Sequence, residues 1–206
     1  MLNHRKLTLM LAALLSAAVA LPGAAFAQFS EGYKFLQAVT KRDDKAVTEL
    51  LEKGGPSLIN TRDQSSLETA LHIAARQKNL AYVKFLIGQG ANVNMRNSKG
   101  ETPLVIACNV GFIEGVQYLL ASSARVDESG STGETPLIAA VHNRNIALMR
   151  LLLQAGADPD RADNSGRTAR DYAALDTKRD VLLSEIKANA KPKAKPGQTK
   201  PMFGPK

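Results

Sequence analysis

The sequence predicts an all-α repeat solenoid, a stack of helix-turn-helix units joined by turn tips. A repeat is the first observation behind this. Glu101-Thr102-Pro103-Leu104 returns 33 residues later as Glu134-Thr135-Pro136-Leu137. The same shift backwards gives Glu68-Thr69-Ala70-Leu71, and forwards a degraded Arg167-Thr168-Ala169-Arg170. The second observation is that other positions keep step: Ala74, Ala107, Ala140 and Ala173, then Leu86, Leu119 and Leu152, then Ala91, Ala124 and Ala157. A period sustained at this many positions marks a repeat architecture. Composition is the third. The 206-residue chain is 44% apolar, with no Trp and only 5% aromatic residues, so Ala and aliphatic side chains must do the packing. Helices in contact through small residues suit that composition.

Each unit accounts for its own elements. Thr102 and Thr135 can cap a helix N-terminus, and Pro103 and Pro136 fit the first helical position, where no amide hydrogen is needed. A short first helix should run to about Cys108 or Val141. A second should cover Ile113 to Ala121 and Ile146 to Gln154, with apolar residues at i, i+3 and i+4 spacing. Gly90 and Gly156 suit a left-handed helix stop, where a missing Cβ removes the steric penalty; Ser123 stands at that place in between. Upstream, Phe35, Ala38, Val47, Leu50 and Leu51 repeat Leu71, Ala74, Val83, Leu86 and Ile87 at a spacing of 36. The array therefore has about five units, with a partial first and a polar last, as expected of terminal units that face water.

With Gly100-Glu101-Thr102-Pro103-Leu104 as core motif and Gly90-Ala91-Asn92-Val93-Asn94 or Gly156-Ala157-Asp158-Pro159-Asp160 as closing motif, residues 28–186 resemble the ankyrin repeat family. The resemblance implies paired antiparallel helices in an L-shaped array, with β-turn tips projecting to one side. Two features depart from the family pattern. The His that follows Thr-Pro-Leu survives only as His72, replaced by Val105 and Ile138 further on. Residues 62–67 lack the Gly that usually makes the tip, so the first tip should differ from the others.

The two ends read differently from the body. Residues 1–27 have the pattern of a signal peptide: Arg5 and Lys6, an apolar run from Leu7 to Leu21, a Pro22-Gly23 break, and Ala25-Phe26-Ala27 as a small-x-small site. Cleavage after Ala27 and a periplasmic or secreted location are expected, with an uncleaved anchor as the alternative. Residues 187–206 carry six Lys and no acid, while residues 28–186 balance 19 basic and 19 acidic side chains. The formal charge of +8 thus belongs to a Lys/Pro-rich tail, expected to be disordered. It is expected either to make weak contact with polyanions or a membrane surface, or merely to solubilise. Deleting residues 188–206 should leave the melting temperature nearly unchanged; a large drop would show that the tail packs on the repeats. The lone Cys108, inside the run Leu104 to Cys108, excludes an internal disulfide and reads as a small buried filler.

The family's concave face is formed by tips and the exposed side of first helices. By position it takes in Ser65, Ser66, Glu68, Arg76 and Gln77, then Arg96, Ser98, Lys99, Glu101, Asn109 and Val110, then Ser129, Ser131, Thr132, Glu134, His142 and Asn143. These positions fall off the apolar periodicity. The resemblance implies that they bind a partner protein; the alternative is a solvated face. Phe112, beside Val110, could anchor an interface or pack into the helix junction. Enzyme readings fail on spacing. Glu68, Glu101 and Glu134 should lie about 8–10 Å apart, the distance between packed helices, against about 5 Å for a retaining glycosidase pair. His72 and His142 are two units apart, too far to share a zinc. No catalytic, cofactor-binding or metal site is expected, nor a nucleic-acid partner, and a monomer is expected. The function expected is an exported protein-protein interaction scaffold. The alternatives are an envelope-associated protein held by its tail, or, from similarity to bacterial exported ankyrin proteins, an accessory factor for a stress-defence enzyme such as a catalase.

Overall fold

The computed structural model describes residues 30–190; the signal-like segment and the tail beyond Ala190 lie outside the described residues. Ten α-helices in five pairs make up this region. They are α1 (Glu31–Lys41) with α2 (Asp44–Gly54), α3 (Ala70–Arg76) with α4 (Leu80–Gly88), and α5 (Pro103–Asn109) with α6 (Ile113–Ala121). Then come α7 (Pro136–His142) with α8 (Ile146–Ala155), and α9 (Ala169–Leu175) with α10 (Arg179–Asn189). A 3-10 turn, Pro56–Asn60, follows α2. The helix bounds agree with the sequence reading to within one residue in the middle units. The last helix runs to Asn189, three residues past the expected boundary at 186, and Ala190 packs on the core, so a deletion that spares the fold begins at 191 rather than 188.

Local chemistry starts these helices as anticipated. Thr102 and Thr135 accept from the amides of Val105 and Ile138, with Pro103 and Pro136 at the first helical positions. Asn79 and Asn145 cap α4 and α8 in the same way. Gly156, at φ 100°, takes the left-handed stop of α8; Gly90 and Ser123 hold the equivalent places at φ 89° and 67°.

First helices pack on first helices along one row, α1 on α3, α3 on α5, α5 on α7 and α7 on α9. The repeated alanines Ala74, Ala107, Ala140 and Ala173 are fully buried in that row. A small side chain there lets neighbouring backbones approach. Leu71, Leu104 and Leu137 from the first helices, and Leu86, Leu119 and Leu152 from the second, complete one continuous core that burial of apolar area stabilises.

A backbone ladder ties the tips together. Ser98 donates its amide to the Ser66 carbonyl, Ser131 to Lys99 and Asn164 to Thr132. Within the second tip the Asn97 side chain accepts from the amides of Lys99 and Glu101. Asp163 does the same with Ser165 and Arg167 in the fourth.

The first tip does differ, as its missing glycine suggested. Its closing bond spans Asp63 to Glu68, one residue longer than Asn97 to Glu101. Leu67 takes the left-handed conformation at φ 54° that Gly100, Gly133 and Gly166 hold in the other tips. A branched side chain is disfavoured there by about 1 kcal/mol, and Leu67 is exposed. Leu67→Gly should therefore raise stability by about 0.5 kcal/mol, after the greater freedom of glycine in the unfolded chain is subtracted. Urea denaturation checks this; a loss of stability would mean that the Leu67 side chain packs usefully.

Candidate functional site

The tips and the outward side of the first helices form one surface, and all seventeen sequence-predicted residues lie on it exposed or half-buried. Two hollows gather most of them. One, of about 240 Å³ between the third and fourth helix pairs, is lined by Lys99, Glu101, Asn109, Ser131, Thr132 and Glu134, with Val105 beneath. The other, of about 380 Å³ between the first and second pairs, collects Ser66, Glu68, Arg76 and Gln77. Its remaining wall comes from Leu36, Gln37, Thr40, Asp63 and Ile73. Gln37 and Thr40 were missed by the sequence reading, which gave the partial first unit no share of the face. Counting back 36 residues from Ile73 and Arg76 finds them.

Several predicted side chains are already engaged. Arg76 pairs with Glu68 across its own unit. Arg96 pairs with Glu128 and donates to the carbonyls of Gly100 and Ser129, so it braces the second tip against the third. Gln77 donates to the Thr40 carbonyl and accepts from Arg42, bracing the first unit against the second. Val110 is half-buried against the core. Phe112 is buried, so the packing reading holds and it is no interface anchor. By contrast, the side chains of Lys99, Asn109 and Ser131 make no hydrogen bond or ion pair among the described residues.

At the far end of the surface, His142 Nδ1 lies 2.8 Å from Glu134 Oε1. Its ring meets Tyr172 edge-to-face at 4.3 Å, a favoured aromatic geometry. Tyr172 in turn donates to Asp163, and Arg167 lies over its ring. Tyr172 also escaped the sequence reading; it stands three 33-residue steps beyond Ile73. The tip carboxylates are stabilised locally: the Ser65 hydroxyl and the Ser66 amide hold Asp63 down at about 2.

His72 is not part of this surface. It is fully buried, with Nδ1 accepting from the Thr69 amide and Nε2 3.1 Å from the Glu101 carbonyl. The ring therefore carries its proton on Nε2 and joins the start of α3 to the next unit. Cys108 is buried and desolvation pushes its thiol up to about 12, so it is a core side chain rather than a nucleophile. No group of three or more metal-ligating side chains occurs among the described residues. No helix among them is long and apolar enough to cross a membrane.

The stacked pairs, the tip ladder and the polar face agree with a comparison of the chain against known families. The family model described as ankyrin repeats (3 copies) matches residues 35–130 and 122–193. The chain belongs to the ankyrin repeat family. Ankyrin repeats are protein-protein interaction modules, and the family is typically non-catalytic. Among curated proteins it is similar to BRCA1-associated RING domain protein 1 of Caenorhabditis elegans, 40% identical over 65 residues. That stretch is 32% of this chain and 9% of the relative, so the chain matches only a small part of that protein's length.

Proposed function

We propose that this ankyrin repeat protein is an exported, non-catalytic scaffold that binds a partner protein across its tips and first helices. The observation that carries the reading is the hollow between the third and fourth helix pairs. It gathers Lys99, Asn109 and Ser131, polar side chains without an internal task, beside Glu101 and Glu134. Such groups are placed to meet a partner's polar side chains at no cost to the fold. Export rests on the residues of the first 27 positions, and a polyanion-binding role for the basic tail rests on its lysines.

The test is crosslinking and affinity capture from the native cell envelope. It compares the intact protein, a Lys99→Glu/Asn109→Arg/Ser131→Arg variant, and a form lacking residues 191–206. Arg76 and Arg96 are left alone, because reversing them would break the braces at the tips. The expected result is a defined protein captured by the intact and tail-less forms and weakened about 10–100-fold by the altered face, the size of a few hot-spot losses. Undiminished capture by the altered face would remove this surface from the function. Capture lost only with the tail would make polyanion association the working function.

A further inference from the structure

The second helices form a row of their own, and in two of its grooves a long side chain reaches across. Lys84 of α4 extends over the Tyr118 ring of α6, 5.6 Å from its centroid. Arg150 of α8 makes a two-pronged pair with Glu185 of α10, at 2.8 and 2.9 Å. Lys84 and Arg150 hold the same place in their units, two repeat lengths apart, and the residue at that place in the first unit is Thr48. Phe85 likewise is the counterpart of Tyr118.

Thr48 is too short to cross, and its hydroxyl is turned back onto the Asp44 carbonyl. Between α2 and α4 this leaves a hollow of about 270 Å³ lined by Asp44, Val47, Thr48, Ala81, Tyr82 and Phe85. Phe85 is exposed, whereas Tyr118 is half-buried under its lysine. The Asp44 carboxylate is the one charge in the lining among the described residues. Its Oδ1 accepts from the Tyr82 hydroxyl, and Oδ2 accepts no hydrogen bond among the described residues.

We propose that this hollow binds an arginine side chain from a basic segment of a partner protein. The guanidinium lies flat on Phe85 and pairs with Asp44. An aromatic face attracts a cation, and the planar, weakly hydrated guanidinium can stack on a ring while donating to a carboxylate. One unit along, Lys84 on Tyr118 makes the cation-on-ring contact within the chain; here the ring and the carboxylate are present, and no cation lies over the ring among the described residues. The site is on the second helices, so it stands or falls separately from the first-helix face.

Isotope-labelled full-length protein would be titrated with acetylated, amidated Gly-Gly-Arg-Gly-Gly, following the amide signals of Thr48, Ala81 and Phe85. A citrulline peptide, equal in shape and uncharged, is the control. Saturable shifts with arginine are expected, with binding weakened about tenfold by citrulline and about tenfold by Phe85→Ala. Thr48→Lys should supply the cation from within, raise the melting temperature slightly and abolish the shifts. That variant keeps the test decisive even if Phe85→Ala disturbs folding. Equal binding of citrulline, or undiminished binding to Thr48→Lys, would overturn the proposal. So would movement of these signals on removing residues 191–206 without any peptide, because the chain's own lysines would then be the occupant.

Discussion

Lowering the pH from 7 to 4 should destabilise the protein by about 3 kcal/mol through His72 alone. Burial of the ring pulls its pKa down from 6.5 to about 4. In the unfolded chain the imidazole titrates near 6.5. Between pH 6.5 and 4 the unfolded state therefore binds a proton that the folded state does not. Stability is full above pH 6.5 and falls through this window as the pH is lowered. At roughly 2–4 °C per kcal/mol for a domain of this size, the melting temperature should drop by about 6–12 °C. The tip carboxylate Asp63, held at about 2, loses its contribution only below the usual carboxylate range, outside this window. Asp127 is raised by desolvation and acts with the opposite sign, so a variant is needed to isolate the histidine. His72→Val copies what Val105 offers in the next unit. It should lower stability at pH 7.5 by about 1–3 kcal/mol, through the lost bonds to the Thr69 amide and the Glu101 carbonyl. It should also flatten the slope between pH 6.5 and 4. An unchanged slope in thermal melts of His72→Val would refute the assignment to this side chain.

Phe112→Asn should cost about 2–4 kcal/mol, and adding Gly115→Leu should return most of it. In the units on either side, an asparagine caps the second helix and a large residue follows three places on: Asn79 with Tyr82, and Asn145 with Leu148. The third unit has Phe112 and Gly115, and the cap hydrogen bond is gone. The Phe112 ring occupies the space that a side chain at 115 would fill; a Cβ built on Gly115 would overlap it. Removing the ring alone leaves a cavity, worth about 3–5 kcal/mol for a Phe truncation, offset by about 1 kcal/mol from the restored cap. Gly115→Leu alone overpacks and should cost about 1–3 kcal/mol. Together the two changes rebuild the Asn145 and Leu148 arrangement, so their effects should be coupled by about 2 kcal/mol or more. Urea denaturation of the four proteins measures this, and simple additivity would show that the ring and the glycine are not a pair.

This pair shows how the repeat carries information and where it stops. Laid against its neighbours, the sequence marks Phe112 as out of pattern and leaves two readings, an interface anchor or a packed junction. Only the ring's position over Gly115 decides for packing. The face residues behave alike. The period assigns Arg76, Arg96 and Lys99 to one surface, yet Arg76 and Arg96 are engaged with Glu68 and Glu128 while Lys99 is open. Whether a charged side chain is spent depends on folded distances, within one unit for Arg76 and across two for Arg96, and the period encodes neither.

The repeat period, the helix starts and stops and the family are legible in the chain without its fold, because caps, prolines and apolar spacing act within a few residues. The tertiary structure alone decided that Leu67 takes a glycine's conformation, since the tip ladder fixes the backbone whatever side chain it carries. It also decided that His72 is a buried strut, that Arg76 and Arg96 are engaged while Lys99 is not, and that Phe85 lies uncovered. Each of these depends on what the folded stack places within reach, in the same unit or the next.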